Sequence, residues 1–117
     1  MKKIVFCFDL DNTLCVSKKK KTKYSNSKPK KNAIRMVNNL YDNGHIIKVY
    51  TARYMGRNND KLKLKKSLYI KTFKQLKKWN VKFHQLILSK PSADIYIDDK
   101  AYGYSNTWQN KFKKYLK

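Results

Sequence analysis

The sequence predicts one α/β domain: a mostly parallel sheet with helices on both faces. Three observations carry that prediction. A chain of 117 residues has room for a single core, so residues 1–117 are read as one domain. Short β-branched and aromatic runs alternate with stretches of helical period, in the order β-α-β-α-β-β-α. Two of the runs end in adjacent or near-adjacent aspartates, a pattern suited to the carboxyl edge of a parallel sheet.

The elements follow in order. Strand one is expected from about Lys3 to Asp9, where Ile4-Val5-Phe6-Cys7-Phe8 forms a continuous apolar run. A lysine-heavy stretch from Ser17 to Lys31 follows. Ala33, Val37, Leu40 and Tyr41 then fall on one face at helical spacing, with Ser27 and Pro29 marking the start and Asn43-Gly44 the C-cap. His45 to Tyr50 reads as the second strand, although Lys48 interrupts its apolar run. Tyr54 to Lys63 reads as a loop. A second amphipathic helix is expected from about Leu64 to Trp79, with Leu68, Thr72, Phe73 and Leu76 inward and Asn80 as the stop. Lys82 to Leu88 and Asp94 to Asp98 complete the strands. A last helix, starting near Ser105 or Asn106, buries Trp108, Phe112, Tyr115 and Leu116.

Composition excludes several classes. Apolar residues make up 41% of the chain and aromatics 14%, enough to fold. No apolar run is long enough to cross a bilayer, and the N-terminal run is too short for a secretory signal. Cys7 and Cys15 form neither a CxxC motif nor a zinc spacing. They are read as packing residues and suit a reducing, cytoplasmic compartment. His45 and His84 also lack metal-ligand spacing and are read as structural.

Charge is the unusual feature. There are 29 basic residues against 7 acidic, for a net charge of +22. AT-rich codon usage would favour Lys over Arg, but it would favour Glu equally, and the chain contains no Glu. The basic surface therefore points to a polyanionic partner or substrate. Four of the seven acids form two pairs, Asp9/Asp11 and Asp98/Asp99, each directly after an apolar run. Four carboxylates meeting at one sheet edge would repel one another without a hard divalent cation, so Mg²⁺ is expected there.

Phe8-Asp9-Leu10-Asp11-Asn12-Thr13-Leu14 resembles the DxDxT signature of the haloacid dehalogenase superfamily. Val49-Tyr50-Thr51, Lys90 and Tyr96-Ile97-Asp98-Asp99 resemble its later motifs in the same order, so the similarity extends over nearly the whole chain. YTAR, SKPSADIYIDDKA and KPKKNAI are also similar to small phosphatase-like members of polysaccharide or sugar-phosphate biosynthesis. The resemblance implies a Rossmann-like core and an Mg²⁺-dependent phosphomonoester hydrolase acting through an aspartyl-phosphate. It implies Asp9 as nucleophile, Asp11 as acid and base, and Thr51 and Lys90 as partners of the phosphoryl group. Asp9, Asp11, Asp98 and Asp99 would serve the metal. Thr13 and Arg53 are candidate substrate contacts, and Asn12 stands where glycine is commoner.

Most members of that superfamily carry a cap domain over the site. Here core elements fill the intervals between motifs, so no cap is expected. In that family a missing cap implies a macromolecular substrate, or a small one enclosed by a neighbouring subunit of a homo-oligomer. A basic flap over about residues 15–27, including Lys20 and Lys21, could draw a polyanion toward Asp9. A sugar phosphate or similar metabolite is the expected substrate. The rival readings are a phosphatase for nucleotides or nucleic-acid ends, and a nucleic-acid-binding protein that keeps the fold without turnover.

Overall fold

The computed structural model describes residues 2–17, 24–55 and 62–117, with side chains from residue 66 onward in the last segment. Three parallel strands form the sheet: β1 (Val5–Asp9), β4 (Ile46–Tyr50) and β5 (Gln85–Ile87), in the order β1-β4-β5. Helix α1 (Lys31–Asp42) crosses from β1 to β4, and α2 (Leu62–Lys78) crosses from β4 to β5. A small antiparallel ribbon, β2 (Cys15–Val16) with β3 (Lys28–Pro29), lies between β1 and α1. The chain ends in a 3₁₀ segment, Trp108–Tyr115, where an ordinary helix was expected.

Both helix stops are built as the sequence suggests. After α1, Gly44 takes φ +92°; its N–H donates to the Tyr41 carbonyl and the His45 N–H to the Leu40 carbonyl. These two bonds satisfy the last carbonyls of the helix, and the left-handed residue between them favours glycine. Asn80, at φ +59°, does the same for α2: its N–H donates to Lys77 and the Val81 N–H to Leu76. Asparagine is among the few side chains that tolerate that conformation.

Two expectations are corrected. The first concerns the helices, which were expected on both faces of the sheet. Every buried sheet residue (Phe8, Ile47, Val49, Leu86) lies on one face, in a single core with Val37 and Leu40 of α1, Leu76 of α2, and Trp108 and Phe112 of the 3₁₀ segment. The Phe8 ring sits 5.2 Å from Trp108, and Phe6 sits 5.7 Å from Phe112. The opposite face, with Val5, Cys7, Ile46, Lys48 and Gln85, contains no buried residue. Lys48 can therefore occupy the central strand, because its side chain is on the uncovered face. Cys7 is exposed there and is not a packing residue, whereas Cys15 is buried.

The second correction is the missing fourth strand. Asp94–Asp98 adopts no regular structure; Ile95 is 77% exposed and Ile97 96% exposed. A buried parallel strand needs cover on both faces. With the helices gathered on one face, nothing among the described residues provides the second layer. The histidines are structural, as read: His45 Nδ1 accepts from the Ile4 N–H at 3.0 Å, and His84 Nδ1 accepts from the Ile47 N–H at 3.0 Å.

Candidate active site

The carboxyl ends of β1 and β4 lie side by side, with Asp9 paired in register with Tyr50. After β1 the chain turns sharply. The N–H groups of Thr13, Leu14 and Cys15 all converge on the Leu10 carbonyl, and Leu10 is fully buried. The turn requires a left-handed residue, supplied by Asn12 at φ +65°, a conformation that asparagine tolerates. Asn12 also fixes its surroundings: its side-chain oxygen accepts from the Ser17 N–H, and its carbonyl accepts from the Tyr104 hydroxyl. Trp108 Nε1 donates to the Thr13 carbonyl, which ties the turn to the core.

This turn presents Asp9 and Asp11 differently. The Asp9 side chain is 36% exposed, with Lys90 Nζ 3.4 Å from one carboxylate oxygen and the Thr13 hydroxyl donating to the other at 3.5 Å. Burial pushes the Asp9 carboxyl above its ordinary value. The charge and hydrogen bond of Lys90 pull it back, and Asp11 adds a smaller upward push. Lys90 is held in place by its backbone N–H, which donates to the Thr51 carbonyl, and its ammonium lies 4.4 Å from the Tyr96 ring centroid.

Asp11 is gripped by Arg53. Nε reaches both carboxylate oxygens, at 3.1 and 2.9 Å, and Nη2 reaches Oδ1 at 2.9 Å. The Ser17 hydroxyl donates to the same oxygen at 2.5 Å. Arg53 is only 2% exposed. Its Nη1 donates to Gln75 Oε1 at 2.6 Å, and the guanidinium lies 4.6 Å from the Tyr24 ring centroid. Burial lowers the Arg53 value, but the hydrogen bond and charge of Asp11 more than reverse this, so the net shift is upward. The Thr51 hydroxyl, also buried, accepts from the Arg53 backbone N–H at 3.1 Å and so shapes the loop that delivers the guanidinium.

The structure therefore brings together Asp9, Asp11, Thr13, Thr51, Arg53 and Lys90 of the expected set. It does not bring Asp98 and Asp99 into that group. Both are exposed, and Asp98 accepts from the Lys100 N–H of its own turn. Lys20 and Lys21 lie outside the described residues. Among the described residues no three His, Cys, Asp or Glu side chains gather in a way that could hold a metal ion. With the Asp11 oxygens engaged by Arg53, the donors present do not fit an Mg²⁺ site. Sequence reasoning missed Gln75, which buttresses Arg53 and donates from Nε2 to the Tyr24 carbonyl. Its position three residues after Thr72, beside the inward stripe of α2, was the only available signal.

No family model, no curated protein and no solved structure matches this chain. Among the described residues no helix is long and apolar enough to cross a membrane.

Proposed function

We propose that the chain is a phosphomonoester hydrolase of the haloacid dehalogenase type, with Asp9 as nucleophile. The observation that carries this reading is the half-exposed Asp9 carboxylate at the end of β1, with Lys90 Nζ at 3.4 Å and Asp11 two residues on. An Asp9 oxygen attacks phosphorus, the ester P–O bond breaks, and an alkoxide leaves. Lys90 offsets the charge gathered on the phosphoryl group. Water then attacks the aspartyl-phosphate, Asp11 takes its proton, and inorganic phosphate is released as the Asp9 carboxylate re-forms.

The Arg53 pair engages Asp11 in its ionised form, which suits the second step. Giving a proton to a leaving alkoxide in the first step requires that pair to loosen. Aryl phosphates, whose leaving groups need no proton, are therefore the substrates for a first test. Wild-type protein should hydrolyse an aryl phosphate, and Asp9→Asn should not. The assay is run in Mg²⁺ and again in EDTA. The reading fails if turnover by purified wild-type protein does not exceed that of Asp9→Asn in either condition.

A further inference from the structure

Arg53 has a second neighbourhood. It also lines an open groove of about 820 Å³ whose other lining residues come mostly from α2, β3 and the segment before β3. Three lysines of α2, Lys71, Lys74 and Lys78, line it at spacings of three and four residues and so share one helix face. Lys28 of β3 also lines it. All four are exposed. At 1.5 Å of rise per residue, the α2 lysines extend along about 10 Å of helix. A cradle for a single phosphate would converge its donors on one point. These charges instead form a row, which matches a linear polyanion.

The rest of the lining points the same way. Trp79, half-buried, also lines the groove and offers an aromatic surface for stacking, whereas the Tyr24 ring already packs against the Arg53 guanidinium and the Tyr54 ring. Thr72 also lines it and is only 1% exposed, and its hydroxyl has no hydrogen-bond partner among the described residues. A buried hydroxyl left in that state is unfavourable, so a ligand that completes its bond gains affinity. A sugar phosphate bears too few charges for four strung-out lysines and has no planar ring to stack on Trp79.

We propose that this groove receives a single strand of nucleic acid whose terminal phosphate lies at Asp9, with Arg53 as the wall shared by groove and reaction centre. The proposal rests on the phosphatase reading for the fate of that phosphate, but binding is measured apart from turnover. The probe is a short 5′-phosphorylated oligothymidylate labelled at its 3′ end, titrated by fluorescence anisotropy against Asp9→Asn protein from about 50 to 200 mM salt. Each phosphate neutralised on a single strand adds about −0.7 to the slope of log affinity against log salt. The Lys71→Gln/Lys74→Gln/Lys78→Gln variant should therefore bind more weakly, with a slope shallower by about 2. Lys111→Gln/Lys113→Gln/Lys114→Gln removes the same three charges from the 3₁₀ segment and should leave the slope within about 0.5 of its starting value. Bound oligonucleotide should quench the protein's tryptophan emission, and Trp79→Phe should lose that quenching.

Equal losses in the two lysine triples would reduce the interaction to bulk charge and overturn the proposal. So would absent or salt-insensitive binding, undiminished quenching in Trp79→Phe, or a sugar phosphate hydrolysed with a lower KM than the phosphorylated oligonucleotide. If Asp9→Asn fails to bind while wild type still turns over an aryl phosphate, the groove assignment falls alone. If binding holds without any turnover, the phosphatase reading falls instead.

Discussion

Removing either partner of the Arg53–Asp11 pair should destabilise the protein strongly and unequally. The Arg53 side chain is 1% exposed and that of Asp11 is 20% exposed. Breaking a buried ion pair by deleting one partner costs about 3–5 kcal/mol, because the survivor keeps an uncompensated charge. Arg53→Met leaves Asp11 with access to solvent and the Ser17 hydroxyl, so about 3 kcal/mol is expected. Asp11→Ala strands a guanidinium deep in the fold beside Gln75, the Tyr24 ring and the Cys15 thiol, none of which offsets its charge as a carboxylate does, so the loss should approach about 5 kcal/mol. The double variant should be less destabilised than the two losses added, with a coupling of at least about 1.5 kcal/mol. Urea unfolding followed by tryptophan fluorescence and circular dichroism measures all three. At about 4 °C per kcal/mol for a domain near this size, Arg53→Met should lower Tm by roughly 12 °C. Single losses below about 1 kcal/mol, or additive ones, would refute the claim that this pair organises the turn after β1.

The remaining predictions concern single residues. The Asp9 carboxyl is raised above 3.8 in the folded protein, chiefly by burial, so its protonated form contributes stability that is fully present below that value and lost as pH rises through the folded one. Asp9→Asn should therefore be more stable than wild type at neutral pH, with the difference shrinking as pH falls through the raised folded value and levelling off below about pH 4, as read by urea midpoints across pH. On the proposed function, the acid limb of wild-type kcat/KM should likewise lie above 3.8, since Asp9 would attack in its ionised form. His45→Leu should cost about 3 kcal/mol, because it strands both the Ile4 N–H and the Tyr115 carbonyl, which lies 2.8 Å from His45 Nε2. Ile97→Asn should change stability by no more than about 0.5 kcal/mol, as its side chain touches almost nothing. A loss above about 2 kcal/mol would mean that Ile95–Ile97 is packed in solution, against the β1 edge or elsewhere.

What the sequence made legible was local. The apolar faces of α1 and α2, the stops at Gly44 and Asn80, and the three strands followed from periodicity and turn chemistry, with ends off by a few residues. Ile95-Tyr96-Ile97 has the same pattern as a buried strand, yet it is exposed, because pattern records what could be buried and not whether a covering layer exists. The same limit explains why the helices gather on one face where both were expected: periodicity finds a helix's apolar stripe but not which side of the sheet it covers. Arg53 and Asp11 are 42 positions apart, and no spacing rule joins them. Only the crossover that sets β4 beside β1 does so, by bringing the two loops to one edge.

The scarce acids then take on a physical meaning. Asp42 pairs with Lys82, Asp9 with Lys90 and Asp11 with Arg53, so each is offset by a base beside it. The Asp9 and Asp11 pairs leave the local charge near Asp9 balanced, while the chain as a whole remains strongly positive. A balanced centre does not itself draw in a dianion, and exposed lysines act only over a screening length of about 8 Å at physiological salt. Attraction must therefore come from cations lying next to the centre. Arg53 lines the same groove as the α2 row and also pairs with Asp11, so on our proposal that row would supply the attraction. On the proposed function, the surface charge would govern the arrival of a phosphate and the paired aspartates what happens to it there.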